Sequence, residues 1–193
     1  MSDDLVIDPA VSAVVLIDLQ RGIMGLPVQP RSGAEVVQHA VRLLDRFRRA
    51  GAMVVLVRVS YSADGRDMLT QPRDAPAAMN RPAGWDELVP ELGVTDGDIV
   101  VTKRQWGAFY GTPLDMQLRR RGIRTIVLGG ISTNMGVEST ARDAFERGYH
   151  LVFAEDAMAA TSAEAHRFAC EQIFPRIGQV RSTAAVLRAM GAT

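Results

Sequence analysis

The sequence predicts an α/β domain of three layers, helices on both faces of a mainly parallel six-stranded sheet. Two observations carry this prediction. Short, nearly continuous apolar runs rich in β-branched residues recur along the chain, as expected of strands covered on both faces. Between them lie longer stretches with helical periodicity, so strand and helix alternate.

The strand candidates are residues 12–19 (SAVVLIDL), 53–59 (MVVLVRV), 98–102 (DIVVT), 125–130 (TIVLGG) and 150–154 (HLVFA), with a shorter candidate at 179–182. In 34–50, Val36, Val37, Ala40, Leu43, Leu44 and Phe47 share one helical face, and Gly51 follows as a stop. Pro113 stands near the start of a helix carrying Leu114 and Leu118, closed by Gly122. Residues 137–147 form a helix ending at Gly148, and a last helical pair covers 163–173 and 183–190. The pattern gives a single Rossmann-like domain over 1–193, with no internal repeat or linker. The least regular part is 60–92, with Pro72, Pro76, Pro82 and Pro90. It reads either as a functional loop or lid, or as an insertion or oligomer contact.

Composition narrows the function classes. Of 193 residues, 47% are hydrophobic and 23% charged, which is ordinary for a globular protein. The 22 basic residues balance the 22 acidic ones, so the broad positive footprint of a nucleic-acid or acidic-membrane binder is missing. The one cysteine, Cys170, allows no internal disulfide and falls inside a helix pattern, where a buried structural thiol is expected. The acidic start, Met1-Ser2-Asp3-Asp4, is unlike a signal peptide, and no apolar run is long enough to span a bilayer. A cytoplasmic enzyme or small-molecule-binding protein is the expectation.

In parallel sheets, ligands collect beyond the carboxyl ends of the strands. Asp18 ends the first strand, Arg58 and Ser60 the second, Lys103 follows the third, and Ser132, Thr133 and Asn134 follow the fourth. Asp18 is a partly desolvated carboxylate that needs a partner, unless it is a turn or cap residue; Lys103 is the natural partner. After Gly129-Gly130 the chain swings into a helix whose first N–H groups have no internal acceptor. Amides near Met135, Gly136 and Val137 would then face an anion or oxyanion, assisted by the helix dipole, with Gly136 allowing close approach or simply packing space.

Together, Asp18 in VVLIDLQ, Lys103 in VTKRQWGAF and the stretch GGISTNMGVESTARDA resemble the three catalytic segments of the isochorismatase-like (cysteine hydrolase) family. The resemblance runs from about 11 to 187 and includes Ala154-Glu155-Asp156-Ala157. It implies a small-molecule hydrolase that assembles as a dimer or tetramer. In members that cleave C–N bonds a cysteine attacks the carbonyl, an aspartate acts as base and a lysine supports it. Carried over, Asp18 and Lys103 are intact and Gly136 stands at the nucleophile position without a side chain. The isochorismatases proper also have glycine there and use the aspartate as general acid on a vinyl ether. Their turn carries an aromatic and a histidine where this chain has Ser132 and Asn134, closer to the amidase-like members. The family's cis peptide would fall at Ile131-Ser132.

The resemblance also suggests substrate contacts. Gln20, Trp106 and Phe109 flank the pair, and Gly107-Ala108-Phe109 matches the family's small-small-Phe pattern, although Phe109 also reads as core or subunit packing. Arg58 and Arg104 are the arginines placed to hold a substrate carboxylate, and Ser132, Thr133, Asn134 and Met135 line the turn. The Asp-x-His of zinc-binding nicotinamidases has no counterpart in Arg58-Val59-Ser60-Tyr61-Ser62, and His39, His150 and His166 are scattered, so neither metal nor cofactor is expected. A member without turnover, binding a small ligand or acting as a regulatory subunit, is the alternative.

Overall fold

The structure is a computed structural model and describes residues 5–75 and 81–191. Its strands are β1 (Ser12–Ile17), β2 (Met53–Val59), β3 (Ile99–Lys103), β4 (Thr125–Ile131), β5 (His150–Ala159) and β6 (Gln179–Arg181). All pairings are parallel, in the order β3-β2-β1-β4-β5-β6. The chain winds outward through β2 and β3, then returns to the other side of β1 for β4. The order reverses between β1 and β4, the position at whose carboxyl end open parallel sheets commonly take a ligand.

Around the sheet lie α1 (Arg21–Met24), α2 (Gly33–Arg49), α3 (Leu114–Arg120), α4 (Glu138–Glu146), α5 (Ala163–Phe168), α6 (Phe174–Ile177) and α7 (Thr183–Ala189). Alternate strand residues serve opposite faces. Val14, Leu16, Val54 and Leu56 meet Val36, Ala40, Leu43 and Phe47 of α2, together with Val186 of α7. Ala13, Val15, Ile17, Val55 and Val57 meet Leu114 and Leu118 of α3 and Ala141 and Ala144 of α4. The six residues of β1 are all buried, which is why 13–17 reads as an unbroken apolar run.

Helix α2 owes its start to a capping box, Ser32 Oγ accepting from Glu35 N–H while Glu35 accepts from Ser32 N–H. Several bounds differ from the sequence expectation: β1 stops at Ile17, so Asp18 and Leu19 lie beyond it, and β3 includes Lys103. β5 runs on through Glu155 and Asp156 to Ala159, because a register shift opposite Leu128 and Gly130 carries the two acids past the ladder before Met158 and Ala159 pair again. The expected helix over 163–173 ends as an α-helix at Phe168 and continues as a π-helical turn, Ala169–Ile173, into α6. Helix α4 starts one residue later than expected, preceded by a second π-helical turn, Thr133–Val137.

The segment 60–92 is irregular but closely tied to the sheet edge. Ser60 Oγ donates to Asp86 at 2.6 Å, Arg104 bonds Asp67 and Ser60 O, and Gln20 bridges to Leu88. The expected irregularity at Pro76 lies outside the described residues.

Candidate active site

At the end of β1 the chain turns sharply. Asp18 has φ 55°, the one positive φ outside glycine among the described residues, a region in which aspartate is among the few tolerated side chains. Its N–H donates to Val57 O at 2.8 Å, and its own carbonyl accepts from Gln20 N–H at 2.9 Å. These bonds hold the bend. The carboxyl is buried: Oδ2 accepts from Lys103 Nζ at 2.7 Å, while Oδ1 has no hydrogen-bond partner among the described residues. Burial pushes the carboxyl above its usual range, against the opposing pull of the Lys103 ammonium.

Lys103 is the last residue of β3 and is also buried. Its Nζ donates to Gln105 O at 3.0 Å as well as to Asp18. It is the single lysine of the chain; every other residue among the 22 basic ones is arginine. A compact ammonium suits this space, where a planar fork would not fit the same two acceptors.

The turn after β4 provides the third wall. Gly130 has φ 122°, and a Cβ there would lie 2.1 Å from Ile17 O, so only glycine lets β4 press against the end of β1. The Ile131-Ser132 peptide is cis. Ser132 O then accepts from both Met135 N–H at 3.1 Å and Val137 N–H at 3.2 Å. Two of the three amides expected to face a ligand, those of Met135 and Val137, are thus engaged inside the turn. A Cβ on Gly136 would meet Ile17 Cγ2 at 3.0 Å, Asp18 Oδ2 at 3.2 Å and Trp106 O at 3.5 Å. Position 136 therefore faces the Asp18 carboxyl directly. Thr140 braces this wall, its Oγ1 donating to Gly136 O at 2.6 Å and accepting from Ala108 N–H at 3.1 Å.

The other residues singled out in the sequence divide into two groups. Trp106 shares the site through its backbone, and the residue is 59% exposed. Ser132, Asn134 and Met135 are half-buried on the turn, and Asn134 Oδ1 is buried without a partner. Gln20, by contrast, is fully buried, with its amide bonded to both the N–H and the O of Val59. Phe109 packs in the core beside Tyr149, at 6.0 Å between ring centroids, where its apolar ring is shielded from any open cleft. Arg58 bonds Thr102 Oγ1 and Asp86 O, and Arg104 pairs with Asp67, so both arginines fasten the irregular segment.

Thr133 is fully buried, and its Oγ1 lies 2.9 Å from His166 Nδ1. His166 lies on α5, as its helical pattern predicts, but on the inner face rather than the surface. It is buried behind the turn, with Cys170 Sγ at 3.6 Å and Glu155 Oε2 at 3.9 Å. The i, i+4 spacing of His166 and Cys170 was the available signal. His166 and Arg31 hold the Glu155 carboxyl below its usual range despite burial. Cys170 is half-buried, and burial together with Glu155 pushes its thiol up to about 12, which leaves it without thiolate character near neutrality. Among the described residues no group of three or more His, Cys, Asp or Glu is placed to hold a metal ion.

Residues 12–185 match the family model described as "Isochorismatase domain". The chain belongs to the isochorismatase family. It is 54% identical over 180 residues to the uncharacterized isochorismatase family protein YecD of Escherichia coli O157:H7, covering 93% of this chain and 96% of that protein. An isochorismatase family protein from Burkholderia thailandensis has the same fold, with a TM-score of 0.93 and 47% identity, over 97% of this chain and 98% of that one. The ureidoacrylate amidohydrolase RutB of Variovorax paradoxus is 35% identical over 171 residues, covering 76% of this chain and 68% of the relative. The family is one of hydrolases, and the three segments that resemble its catalytic blocks converge at the carboxyl ends of β1, β3 and β4.

Proposed function

We propose that the protein hydrolyses a small carboxylated or ring-shaped metabolite without a covalent intermediate. Asp18 is the general acid or base, Lys103 its electrostatic partner, and the Gly136 amide a donor to charge that develops on the substrate. One observation carries the reading: the buried Asp18 carboxyl has Oδ2 on the Lys103 ammonium and next to position 136, and Oδ1 without a hydrogen-bond partner among the described residues.

Chemistry follows from that arrangement. As an acid, protonated Asp18 transfers its proton to a vinyl-ether carbon, and its carboxylate is stabilised at 2.7 Å by Lys103. Water adds to the oxocarbenium ion, its released proton restores the Asp18 acid, and the resulting hemiketal breaks its C–O bond to release the alcohol. As a base, ionised Asp18 takes a proton from water as it adds to a carbonyl while backbone N–H groups receive the oxyanion; the C–N bond then breaks and Asp18 returns the proton to the leaving nitrogen. The two modes have opposite pH dependence. The raised pKa of Asp18 supports the acid mode, for which turnover falls as pH rises through that value. The base mode gives turnover that rises over the same range.

RutB is named as an amidohydrolase, which supports including C–N bonds among the candidates. The absence of a side chain at Gly136 favours a second reading, a ligand-binding member without turnover. We also propose that the protein assembles as a homo-oligomer and meets neither nucleic acid nor membrane; no described helix is long and apolar enough to cross one.

The non-covalent claim is tested by iodoacetamide treatment and by intact-mass spectrometry during turnover. Unchanged turnover after alkylation, with no substrate-derived adduct, is expected. An adduct that accumulates and decays with turnover would overturn it.

A further inference from the structure

Arg81 differs from the other cations at this edge of the sheet. Lys103 is paired with Asp18 at 2.7 Å, Arg104 with Asp67 at 2.5 Å and Arg58 with Asp86 at 3.7 Å. Arg81 forms no ion pair among the described residues. Its Nη1 donates to Met68 Sδ at 2.8 Å, a thioether and so a poor acceptor, and its Nε is buried without a partner among the described residues.

Two aromatic rings hold it. The Arg81 guanidinium carbon lies 4.8 Å from the centroid of Tyr61 and 5.7 Å from that of Trp85. The rings themselves are 5.9 Å apart and inclined by 20°. This cradle is built on the segments that leave the Asp18–Lys103 pair. Trp85 O accepts from Gly22 N–H at 2.8 Å and lies 3.4 Å from Gln20 Nε2, just beyond Asp18. Tyr61 follows Ser60, whose N–H donates to Lys103 O at 3.2 Å.

Ring quadrupoles attract a guanidinium but do not neutralise it, and they leave its in-plane N–H groups without acceptors. What such a group lacks is a planar anion in its own plane, and a carboxylate meets that geometry with two parallel hydrogen bonds. We propose that Arg81 is the anion-recognition residue of this site and takes a substrate carboxylate. Arg58 and Arg104, the arginines favoured by position in the sequence, instead anchor the irregular segment around it. The inference rests on the reading of the Asp18–Lys103 edge as a small-molecule site, and it narrows the substrate to a carboxylate.

The test uses isothermal titration of the full-length protein with benzoate and its uncharged counterpart, benzamide. Wild type is expected to bind benzoate about tenfold more tightly than benzamide. Arg81→Gln should abolish that preference and leave benzamide affinity unchanged, Arg81→Lys should restore part of it, and Arg120→Gln on α3 should keep all of it. Equal affinities in wild type, no benzoate binding, or a preference that survives Arg81→Gln would overturn the proposal. The wild-type comparison needs no variant, so a poorly folded Arg81→Gln leaves the test intact. The same titration on Asp18→Asn separates the two readings. A retained carboxylate preference with no turnover from wild type on any substrate would sink the hydrolase reading while the Arg81 subsite stands.

Discussion

Asp18 combines three properties that seldom coincide: a left-handed backbone, a buried carboxyl and an unpartnered oxygen. Each costs stability, and Lys103 offsets only part of that. Lys103→Arg keeps the charge but cannot reproduce both short bonds to Asp18 and Gln105. It should lower kcat by about 10²-fold or more, measured on whichever substrate the wild type turns over. A variant with wild-type turnover would show that charge alone suffices. Two glycines, six positions apart, give opposite expectations. Gly130→Ala sets a Cβ 2.1 Å from Ile17 O at φ 122°, and should cost more than about 4 kcal/mol, seen as loss of soluble folded protein. Gly136→Cys meets Ile17 Cγ2 at 3.0 Å and Asp18 Oδ2 at 3.2 Å without a positive φ. It should fold at a cost of about 1–3 kcal/mol by thermal melting.

At the scale of elements, the irregular segment before β3 is held to α2 by Arg48, which bonds Asp98 Oδ2 at 2.6 Å and Leu92 O at 3.0 Å. Burial raises the Asp98 carboxyl, but Arg48 and the Thr95 N–H outweigh it and hold the carboxyl below its usual range. A carboxyl lowered in the folded state contributes stability above its unfolded pKa of about 3.9 and loses it as pH falls through the lowered value. Arg48→Met should therefore lower the melting temperature at neutral pH by several degrees, with the difference shrinking below about pH 3. A constant difference across pH would contradict the assignment.

Much of this scale was legible in the sequence. The expected strand 53–59 coincides with β2, and α2 starts and ends one residue earlier than expected, because burial on one face and a capping serine leave local signals. β5 and the helix after Ser162 were less legible. The β5 extension depends on a register shift opposite β4, and the break after Phe168 on packing behind the Thr133 turn; neither is encoded in a local window. The same limit applies in the site. Strand-end position marked Asp18 and Lys103, whereas the inward amide of Gln20, the core packing of Phe109 and the partnering of Thr133 with His166 depend on side-chain directions set by distant segments.

Over the whole molecule, zero formal net charge coincides with exposed apolar groups, Tyr110 at 77%, Trp106 at 59% and Phe145 at 49% among them. The homo-oligomer proposed above should appear in light scattering at a multiple of the 21.0 kDa chain mass. A monomer at micromolar concentration would contradict it. The central claim is that Asp18 performs hydrolysis in a site with no nucleophilic side chain at position 136. The most direct test is a hydrolysis screen of wild type beside Asp18→Ala, with isochorismate, nicotinamide and small amides, ureas and imides as substrates. The account predicts turnover of at least one of them, abolished in Asp18→Ala. Turnover that survives in the variant, or silence from wild type with ligand-induced thermal stabilisation retained, would contradict it.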